Sequence, residues 1–272
     1  MKISVILIIR DRDNYIKFIN ELFTEIEQLS INTIQFEYFI YENNSKDKTV
    51  EEIEKFYEKR SGLYLCENID PVPKIYRGAK MERGIYMAKI RNKIKDIHGE
   101  LYSDYTILLD SDVVFNLKTI YRLITTLKNG IVMAGVYSTD AGREIWEGHY
   151  YDTLAHISKD GIGWKQNGSA CYFDICKSCK KTLVDKKVKF RYNMFGLSEV
   201  NSCFGGLAIL ETNVYNKVRY GKSICEHHSF CNEVRKYGKI VINPIAKAKR
   251  GGENIRLEEY RKIKKEMDRH IL

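Results

Sequence analysis

One stretch, Thr106–Phe115, constrains the fold of this chain more than any other. Its apolar run is interrupted by two aspartates, Asp110 and Asp112, and then resumes. The run is too short to span a membrane, so it predicts a buried strand whose polar end emerges at the edge of a sheet. In extended backbone, side chains two residues apart point to the same side of the strand. Two carboxylates on one side of a strand end are suitable ligands for a Mg²⁺ or Mn²⁺ ion that carries a diphosphate. A turn aspartate followed by a helix N-cap explains the pattern equally well, since a helix is predicted to begin at Leu117.

Strands and helices alternate along most of the chain. Apolar periodicity predicts strands at 3–9, 36–41, 63–66, 131–137, 199–210 and 240–243. Helices are predicted at 15–29, 49–57, 83–97, 117–127 and 257–272, and one more begins at 225. This alternation is typical of an α/β fold with a doubly wound, mostly parallel central sheet and helices on both faces. Residues 138–187 are irregular and rich in Gly, Tyr, Trp and Cys, which favours a variable, substrate-facing segment over a second domain.

Two charged loops follow the first two predicted strands. The first contains Arg10 and Asp11, and the second, at 42–49, contains Glu42 and Asn44. Ligands of doubly wound sheets bind outside the carboxyl ends of the strands, so both loops should lie on the same rim as the paired aspartates. Arg91 and Asn92 lie within the predicted helix at 83–97, where a surface salt bridge and a polar cap are the simplest explanation.

Charge and cysteine usage restrict the partners and the compartment. The formal net charge of +9 favours anionic partners: a nucleotide diphosphate, nucleic acid or a membrane surface. No aromatic and basic signature of a nucleic-acid-binding module is present, so we expect no nucleic-acid partner, and peripheral membrane contact through the basic tail stays open. The 7 cysteines are an odd number, and no signal peptide is evident, which together indicate reduced thiols and a cytoplasmic protein.

The irregular segment offers two further patterns. Cys176 and Cys179 have zinc-ligand spacing, with Cys171 nearby, but no second pair follows, which argues against a structural zinc site. Aromatic side chains there could stack on sugar rings or fill the core, and the sequence does not separate the two: Trp146, Tyr150 and Trp164.

Three of these motifs resemble those of nucleotide-sugar glycosyltransferases of the GT-A type. The loop 42–49 resembles their acidic-Asn-x-Ser-x-Asp-x-Thr loop, Arg91-Asn92 their Arg-Asn pair, and Asp110-Ser111-Asp112 their Asp-x-Asp metal motif. The resemblance implies a UDP- or GDP-sugar donor with Mn²⁺ or Mg²⁺ on Asp110 and Asp112. The residues implied at the donor are Ile9, Arg10, Asp11, Glu42, Asn44, Arg91, Asp110, Ser111 and Lys249.

The second half resembles, more specifically, the fungal capsule-associated, α-1,3-mannosyltransferase-like family. The stretches that carry this resemblance are Tyr151-Asp152-Thr153, Asp160-Gly161, Ser202-Cys203-Phe204-Gly205-Gly206 and Glu226 with Cys231. Phe204 and Gly205 stand where that family has Trp and Asn. The paired glycines, Gly205 and Gly206, allow close backbone approach or unusual torsion angles, and a turn or bulge is the simplest explanation. Many GT-A enzymes carry a metal-binding His after the last strand, where this chain has instead a predicted basic loop, 247–252, with Lys247, Lys249 and Arg250.

The resemblance also implies roles and boundaries. A GT-A domain would cover residues 1–250, with the nucleotide-sugar-binding half at 1–115 and the acceptor-binding half at 116–250, before a C-terminal basic helix at 251–272. Asp112 would act in catalysis through the metal, and Lys249 or Arg250 would clamp the diphosphate, unless these cations are merely solvated.

Glu226 is the candidate general base, although an acid in the first turn of a helix is also favoured by the helix dipole. His227 and His228 could contact phosphate or metal, yet packing is the commoner role of such histidines.

Two rival functions remain at this point. A haloacid-dehalogenase-type phosphatase also places Asp-x-Asp after an apolar strand, although that motif normally comes early in the chain, and here two strand-helix units precede it. A non-catalytic basic module that binds sugar or nucleic acid is the other rival. The donor sugar, the acceptor, the stereochemical outcome and the oligomeric state are not disclosed by the sequence.

Overall fold

The computed structural model describes residues 1–31, 33–69, 81–140, 152, 154–159, 196–252 and 255–269. The described strands are β1 (Lys2–Ile9), β2 (Gln35–Asn43), β3 (Gly62–Glu67), β4 (Tyr105–Asp110), β5 (Val113–Val114), β6 (Ile131–Asp140), β7 (Ile157–Ser158), β8 (Ser198–Ser202), β9 (Leu207–Glu211) and β10 (Lys239–Arg250). The described helices are α1 (Asp13–Leu29), α2 (Thr49–Tyr57), α3 (Met81–His98), α4 (Leu117–Ile124), α5 (Thr212–Lys217), α6 (Glu226–Val234) and α7 (Leu257–Arg269). Within this part of the chain, no helix is both long and apolar enough to cross a membrane.

All the described strands form one sheet. Their order is β3-β2-β1-β4-β9-β6-β10-β8-β7, and β5 pairs with β10 beside this path. Strands β1 to β4 pair in parallel, as the alternation of strands and helices predicts. β9 lies antiparallel between β4 and β6, so the second half of the sheet is mixed.

Side chains alternate between two apolar layers, one on each face of the sheet. On β1, for example, Val5 and Leu7 face one layer and Ile6 faces the other. Helices α1, α2, α4 and α7 cover the first layer, and α3, α5 and α6 cover the second. Central strands such as β1 and β4 are buried because helices cover both faces of the sheet, which explains why they read as continuous apolar runs.

The predicted strand at 199–210, with a turn or bulge at its paired glycines, is divided at that turn into two strands, β8 and β9, joined by residues 203–206. Gly205 and Gly206 adopt positive φ angles of 74° and 79°. A Cβ atom on Gly206 would lie 2.4 Å from Cγ2 of Val113. Positive φ and this close approach require glycine here. The turn carries the chain from β8, which pairs with β10, to β9, which lies between β4 and β6 and runs in the same direction as β8.

The predicted basic loop at 247–252 is wrong as well, because Lys247–Arg250 belongs to β10. The strand continues past Asn243 through a register shift against β6, and its last residues pair with β5. Arg250 lies opposite Val113 in that pairing. The basic end of β10 is therefore fixed next to the turn that follows β4.

Candidate active site

The carboxyl ends of β2, β1 and β4 meet at one rim, as the sequence predicts. Ile9 lies opposite Glu42, and Ile8 lies opposite Asp110 in the parallel pairing. The candidate residues Arg10, Asp11 and Asn44 follow directly after these strand ends.

Hydrogen bonds between the loops that follow β1 and β2 shape this rim. The Asp11 N–H donates to Oγ of Ser45 at 2.9 Å, and the Lys46 N–H donates to Oδ1 of Asp11 at 2.7 Å. Both loops turn through left-handed residues, Asp11 at φ 50° and Asn44 at φ 57°. Because short polar side chains tolerate this conformation best, the residue types explain how the two loops turn so tightly.

Two of the predicted donor-binding side chains also hold the rim together. Glu42 is buried, and its Oε1 accepts the Ser45 N–H at 2.7 Å. The Asn44 amide bonds both to the Ile69 N–H, at 3.1 Å, and to the Ile69 carbonyl, at 3.3 Å. The structure therefore gives Glu42 and Asn44 loop-shaping contacts in addition to any contact with a donor.

The paired aspartates do not lie in one extended strand, contrary to the expectation from their spacing. Asp110 ends β4, and Ser111 and Asp112 form a turn before β5. The Tyr15 hydroxyl contacts the backbone on both sides of this turn, with its oxygen 3.0 Å from the Asp110 carbonyl oxygen and 2.9 Å from the Val113 carbonyl oxygen. The local pattern gave no signal for this contact, because Tyr15 is 95 residues from Asp110 along the chain.

Each aspartate of the pair has its own arginine. Nη2 of Arg91 donates to Oδ1 of Asp110 at 3.1 Å, and Nε of Arg250 donates to Oδ2 of Asp112 at 2.7 Å. Among the described residues, neither the second oxygen of Asp110 nor that of Asp112 accepts a hydrogen bond. Within the described part of the chain, each carboxylate of this turn therefore keeps one oxygen that accepts no hydrogen bond.

Arg91 is buried and connects two distant parts of the chain. Its Nε donates to Oε1 of Glu226 at 3.1 Å, and the two side chains are only 5% and 4% exposed. The guanidinium carbon lies 5.3 Å from the Phe204 ring centre and 5.6 Å from that of Tyr220. The simplest expectation for Arg91, a surface salt bridge, is thus wrong.

Asn92 anchors the helix that carries Arg91. Its amide makes a reciprocal pair with the backbone of Tyr220, at 2.7 Å and 2.9 Å. This pair ties α3 to the segment that precedes α6, so it also fixes where Glu226 meets Arg91.

Glu226 is a buried carboxylate with an unusual environment. Burial alone would raise its pKa, but the charges of Arg91 and Arg83 act in the opposite direction and hold the pKa below its usual range. Its Oε2 has no hydrogen-bond partner among the described residues. A buried, ion-paired carboxylate of low pKa is a weak proton acceptor, so these contacts favour a positioning role over general-base catalysis.

The two histidines beside it mainly pack. Burial, the nearby Arg91 and other cations lower the pKa of His227 to about 3, so its ring is neutral, and it stacks on Phe204 with 4.0 Å between ring centres. Nε2 of His228 lies 2.8 Å from the Leu154 carbonyl oxygen.

Asp110 lies among several acids. Enclosure by the protein raises its pKa to about 7; Arg91 acts to lower it, and Asp112, Asp152 and Glu226 act to raise it. The Asp110 side chain is nevertheless 41% exposed, so a ligand at the rim can reach it. A cation bound here would favour the ionised carboxylate.

The donor set of this turn fits a divalent metal. Within the described ranges, no group of three or more His, Cys, Asp or Glu side chains could hold a metal by itself. Mg²⁺, however, is usually held by one or two carboxylates, with substrate phosphates and water completing its shell. The second carboxylate oxygens of Asp110 and Asp112 could serve as those protein ligands.

The two predicted clamp residues point to different partners. Nζ of Lys249 lies 3.4 Å from Oε2 of Glu266 on α7, whereas Arg250 pairs with Asp112. Of the two, Arg250 is therefore the cation that the fold brings to the aspartate turn.

Several predicted residues lie outside the described residues: Trp146, Tyr150, Tyr151, Thr153, Asp160, Gly161, Trp164, Cys171, Cys176 and Cys179. The described cysteines, Cys66, Cys203, Cys225 and Cys231, are all free thiols.

Comparison with protein families assigns the chain to one family. The family model described as Cryptococcal mannosyltransferase 1 matches residues 4–236. The chain belongs to this family. The resemblance drawn from the motifs is thereby confirmed, and the match includes Arg91, both aspartates and Glu226. No match to a curated protein sequence is significant.

Solved structures confirm the GT-A fold of this Cryptococcal mannosyltransferase 1 family member. The mannosyltransferase PcManGT from Pyrobaculum calidifontis, in complex with GDP-Man and Mn²⁺, superposes with a TM-score of 0.53 at 9% identity. That match covers 93% of this chain but only 57% of the PcManGT chain, so this chain spans little more than half of that protein's length.

Two further structures are similar at lower scores. TarS 1–349 from S. aureus has a TM-score of 0.49 at 15% identity, covering 99% of this chain and 72% of its own. Glucosyl-3-phosphoglycerate synthase from Mycobacterium tuberculosis, with Mn²⁺, UDP and glucosyl-3-phosphoglycerate, has a TM-score of 0.47 at 12% identity, covering 97% and 76%.

Proposed function

We propose that this chain transfers a sugar from a nucleotide-diphospho-sugar to a hydroxyl group of a glycan or other acceptor. The observation that carries the proposal is the aspartate turn, Asp110 to Asp112, beside the loops that follow β1 and β2. In an open α/β sheet this rim is where a nucleotide binds. Family membership supports the same activity, and the GDP-Man bound to PcManGT makes GDP-mannose the first donor to test, with UDP-sugars as the alternative.

The binding roles follow from the strand ends. We propose that the nucleoside lies against the loops of Arg10, Asp11, Glu42 and Asn44, and that the diphosphate lies at the aspartate turn. Arg250 would donate to the diphosphate, because its guanidinium is next to Asp112 and a guanidinium binds phosphate oxygens bidentately. Ser111, between the aspartates, would present its backbone and hydroxyl to the same group.

Asp110 and Asp112 would hold a Mn²⁺ or Mg²⁺ ion. Such an ion, when bound, neutralises the charge that develops on the leaving diphosphate. Arg91 keeps Asp110 in place from the buried side, and Tyr15 holds the backbone of the turn. The turn is thus preorganised before the donor arrives, which is the property that electrostatic catalysis needs.

Glu226 has a different proposed role from the general base predicted from sequence. Proton transfer would require its buried Oε2, which has no hydrogen-bond partner among the described residues, to reach an acceptor hydroxyl while Arg91 holds the other oxygen. We therefore propose that Glu226 positions Arg91, which in turn positions Asp110.

The binding half of this proposal is tested by thermal unfolding with a panel of UDP, GDP, UDP-sugars and GDP-mannose, with and without Mn²⁺. We expect one nucleotide family to stabilise the wild type, because a ligand that binds only the folded state raises its stability. The shift should need Mn²⁺ and be lost in Asp112→Ala. It should persist in Asp96→Ala, which removes an exposed aspartate paired with Arg219 at the opposite edge of the sheet. No shift with any nucleotide would contradict the proposal.

A further inference from the structure

The ion pair between Arg250 and Asp112 occupies one of the two carboxylates that would hold the metal. Nε of Arg250 and Oδ2 of Asp112 are 2.7 Å apart, and the two side chains are 20% and 13% exposed. An ion pair this shielded is screened less by salt than one on the open surface, so it is a real competitor for any other cation.

The backbone around Arg250 is fixed, so the pair is not a chance contact of a mobile tail. Arg250 pairs with Val113 in the sheet, and the Gly251 N–H donates to the Asp112 carbonyl at 2.7 Å. A Cβ atom on Gly251 would lie 2.4 Å from Cδ1 of Ile255 and 2.7 Å from Cε1 of Tyr260. Residues of and just before α7 therefore pack closely on the end of β10 and hold the arginine where it is.

The two arginine–aspartate ion pairs should therefore hinder the binding of a metal ion and favour the binding of a diphosphate. A divalent cation entering alone meets an Asp112 that is already neutralised by a guanidinium, and an Asp110 that is paired with Arg91. A diphosphate, by contrast, offers Arg250 new oxygen acceptors of the kind guanidinium groups bind most strongly. Once Arg250 turns to the diphosphate, both oxygens of Asp112 are available to a metal.

We propose that Arg250 competes with the divalent metal for Asp112, so that the metal binds well only when a diphosphate is present to accept the guanidinium. This inference rests on the proposed function, since it names the residue that couples metal and donor at that site. It goes beyond a phosphate clamp, because it predicts that removing a binding residue improves the binding of one ligand.

The test is a Mn²⁺ titration of the full chain without nucleotide, in which electron paramagnetic resonance measures the free ion. We expect Arg250→Gln to lower the Mn²⁺ dissociation constant by roughly threefold or more, since the competing ion pair is gone. Arg250→Lys should stay near the wild type, because it keeps a cation beside Asp112. The matched control is Arg219→Gln, which removes an Arg–Asp pair of the same 2.7 Å length from the other edge of the sheet, and it should change nothing.

A second titration measures nucleotide binding, which Arg250→Gln should weaken and not strengthen. With Mn²⁺ in excess, GDP and UDP should bind Arg250→Gln at least about tenfold more weakly than the wild type, because a charge-assisted contact to phosphate is lost. A variant that merely disturbs folding would weaken the binding of both Mn²⁺ and nucleotide. A thermal melt of each variant checks its folding separately.

The outcomes separate the inference from the function on which it rests. Mn²⁺ binding to Arg250→Gln that is equal to or weaker than in the wild type, or not measurable in either protein, overturns the inference. If the wild type binds no nucleotide but Arg250→Gln still binds Mn²⁺ more tightly, the competition stands and the transferase proposal fails.

Discussion

Arg91 is buried between two carboxylates that belong to different parts of the chain. Glu226, its buried partner, is 135 residues away, and Asp110, its partly exposed partner, is 19 residues away. Taking charges out of water is costly, and the cost is offset only while each charge keeps its partner. The arrangement is therefore sensitive to the loss of either Arg91 or Glu226.

Replacing Arg91 by Met should lower the free energy of unfolding by about 3–5 kcal/mol, because Glu226 is left buried without its partner. The double variant Arg91→Met with Glu226→Leu should recover much of this loss, since no uncompensated charge remains. Urea unfolding measures both. Arg219→Met breaks an exposed pair, with side chains 53% and 61% exposed, and should cost less than about 1 kcal/mol. A double variant no more stable than the single one would contradict this account.

Lys95 is a second buried cation, outside the rim. It is 6% exposed, its Nζ donates to the Tyr215 carbonyl, and it lies 3.4 Å from the centre of the Tyr215 ring. Burial, together with Arg219, lowers its pKa from 10.5 to about 7. The group lines a cavity of about 600 Å³ at the edge of the sheet opposite the candidate site.

This pKa shift predicts a pH dependence of stability. Between about pH 7 and pH 10 the unfolded chain holds a proton on Lys95 that the folded chain has released, so wild-type stability rises with pH there. Relative to Lys95→Met, which cannot titrate, the wild type should gain up to about 1.4 kcal/mol per pH unit across this window. Urea unfolding at several pH values measures the difference. A difference that stays flat with pH would contradict the prediction.

At the scale of elements, the turn between β8 and β9 supports the aspartate turn. The Asp110 N–H donates to the Gly206 carbonyl at 2.8 Å, and a Cβ atom on Gly206 would also come within 3.9 Å of that of Asp110. The position of β4's end thus depends on a glycine that lies almost a hundred residues further along the chain.

Gly206→Ala should therefore lower the free energy of unfolding by more than the positive φ angle alone would. Gly99 also has a positive φ, 66°, but a Cβ there would meet nothing within 4 Å. We expect Gly99→Ala to lose about 1–2 kcal/mol from its backbone conformation, and Gly206→Ala to lose about 1–3 kcal/mol more because its Cβ overlaps Val113. Chemical denaturation compares the two variants directly. Equal losses would mean that the contact with Val113 relaxes without cost.

At the scale of the whole molecule, the sequence predicts what depends on local pattern. Buried strands such as β1 read as apolar runs, helices such as α1 show their period, and the charged ends of β1, β2 and β4 indicate a common rim. Arg91 and the paired aspartates were predicted as site residues, and the structure brings them together.

The remaining features depend on contacts between distant residues. The paired glycines in 199–210 indicate a turn or bulge, but only the position of Val113 beside Gly206 shows why the strand is divided there. Lys247–Arg250 looks like a loop until β5 supplies a partner strand. The choice of Glu226 for Arg91, and of Arg250 for Asp112, is likewise set by the fold and not by spacing.

The central claim is that this chain breaks the bond between sugar and diphosphate in a nucleotide-sugar at the aspartate turn. The most direct measurement incubates the wild type and Asp112→Asn with GDP-mannose and with UDP-sugars in Mn²⁺, together with a panel of mono- and disaccharides whose hydroxyl groups can accept the sugar, and quantifies the released nucleoside diphosphate by chromatography. We expect the wild type to release GDP or UDP above the rate in buffer, and Asp112→Asn to release it at least about a hundredfold more slowly. Equal release by both proteins, or none from any donor by the wild type, would contradict the account.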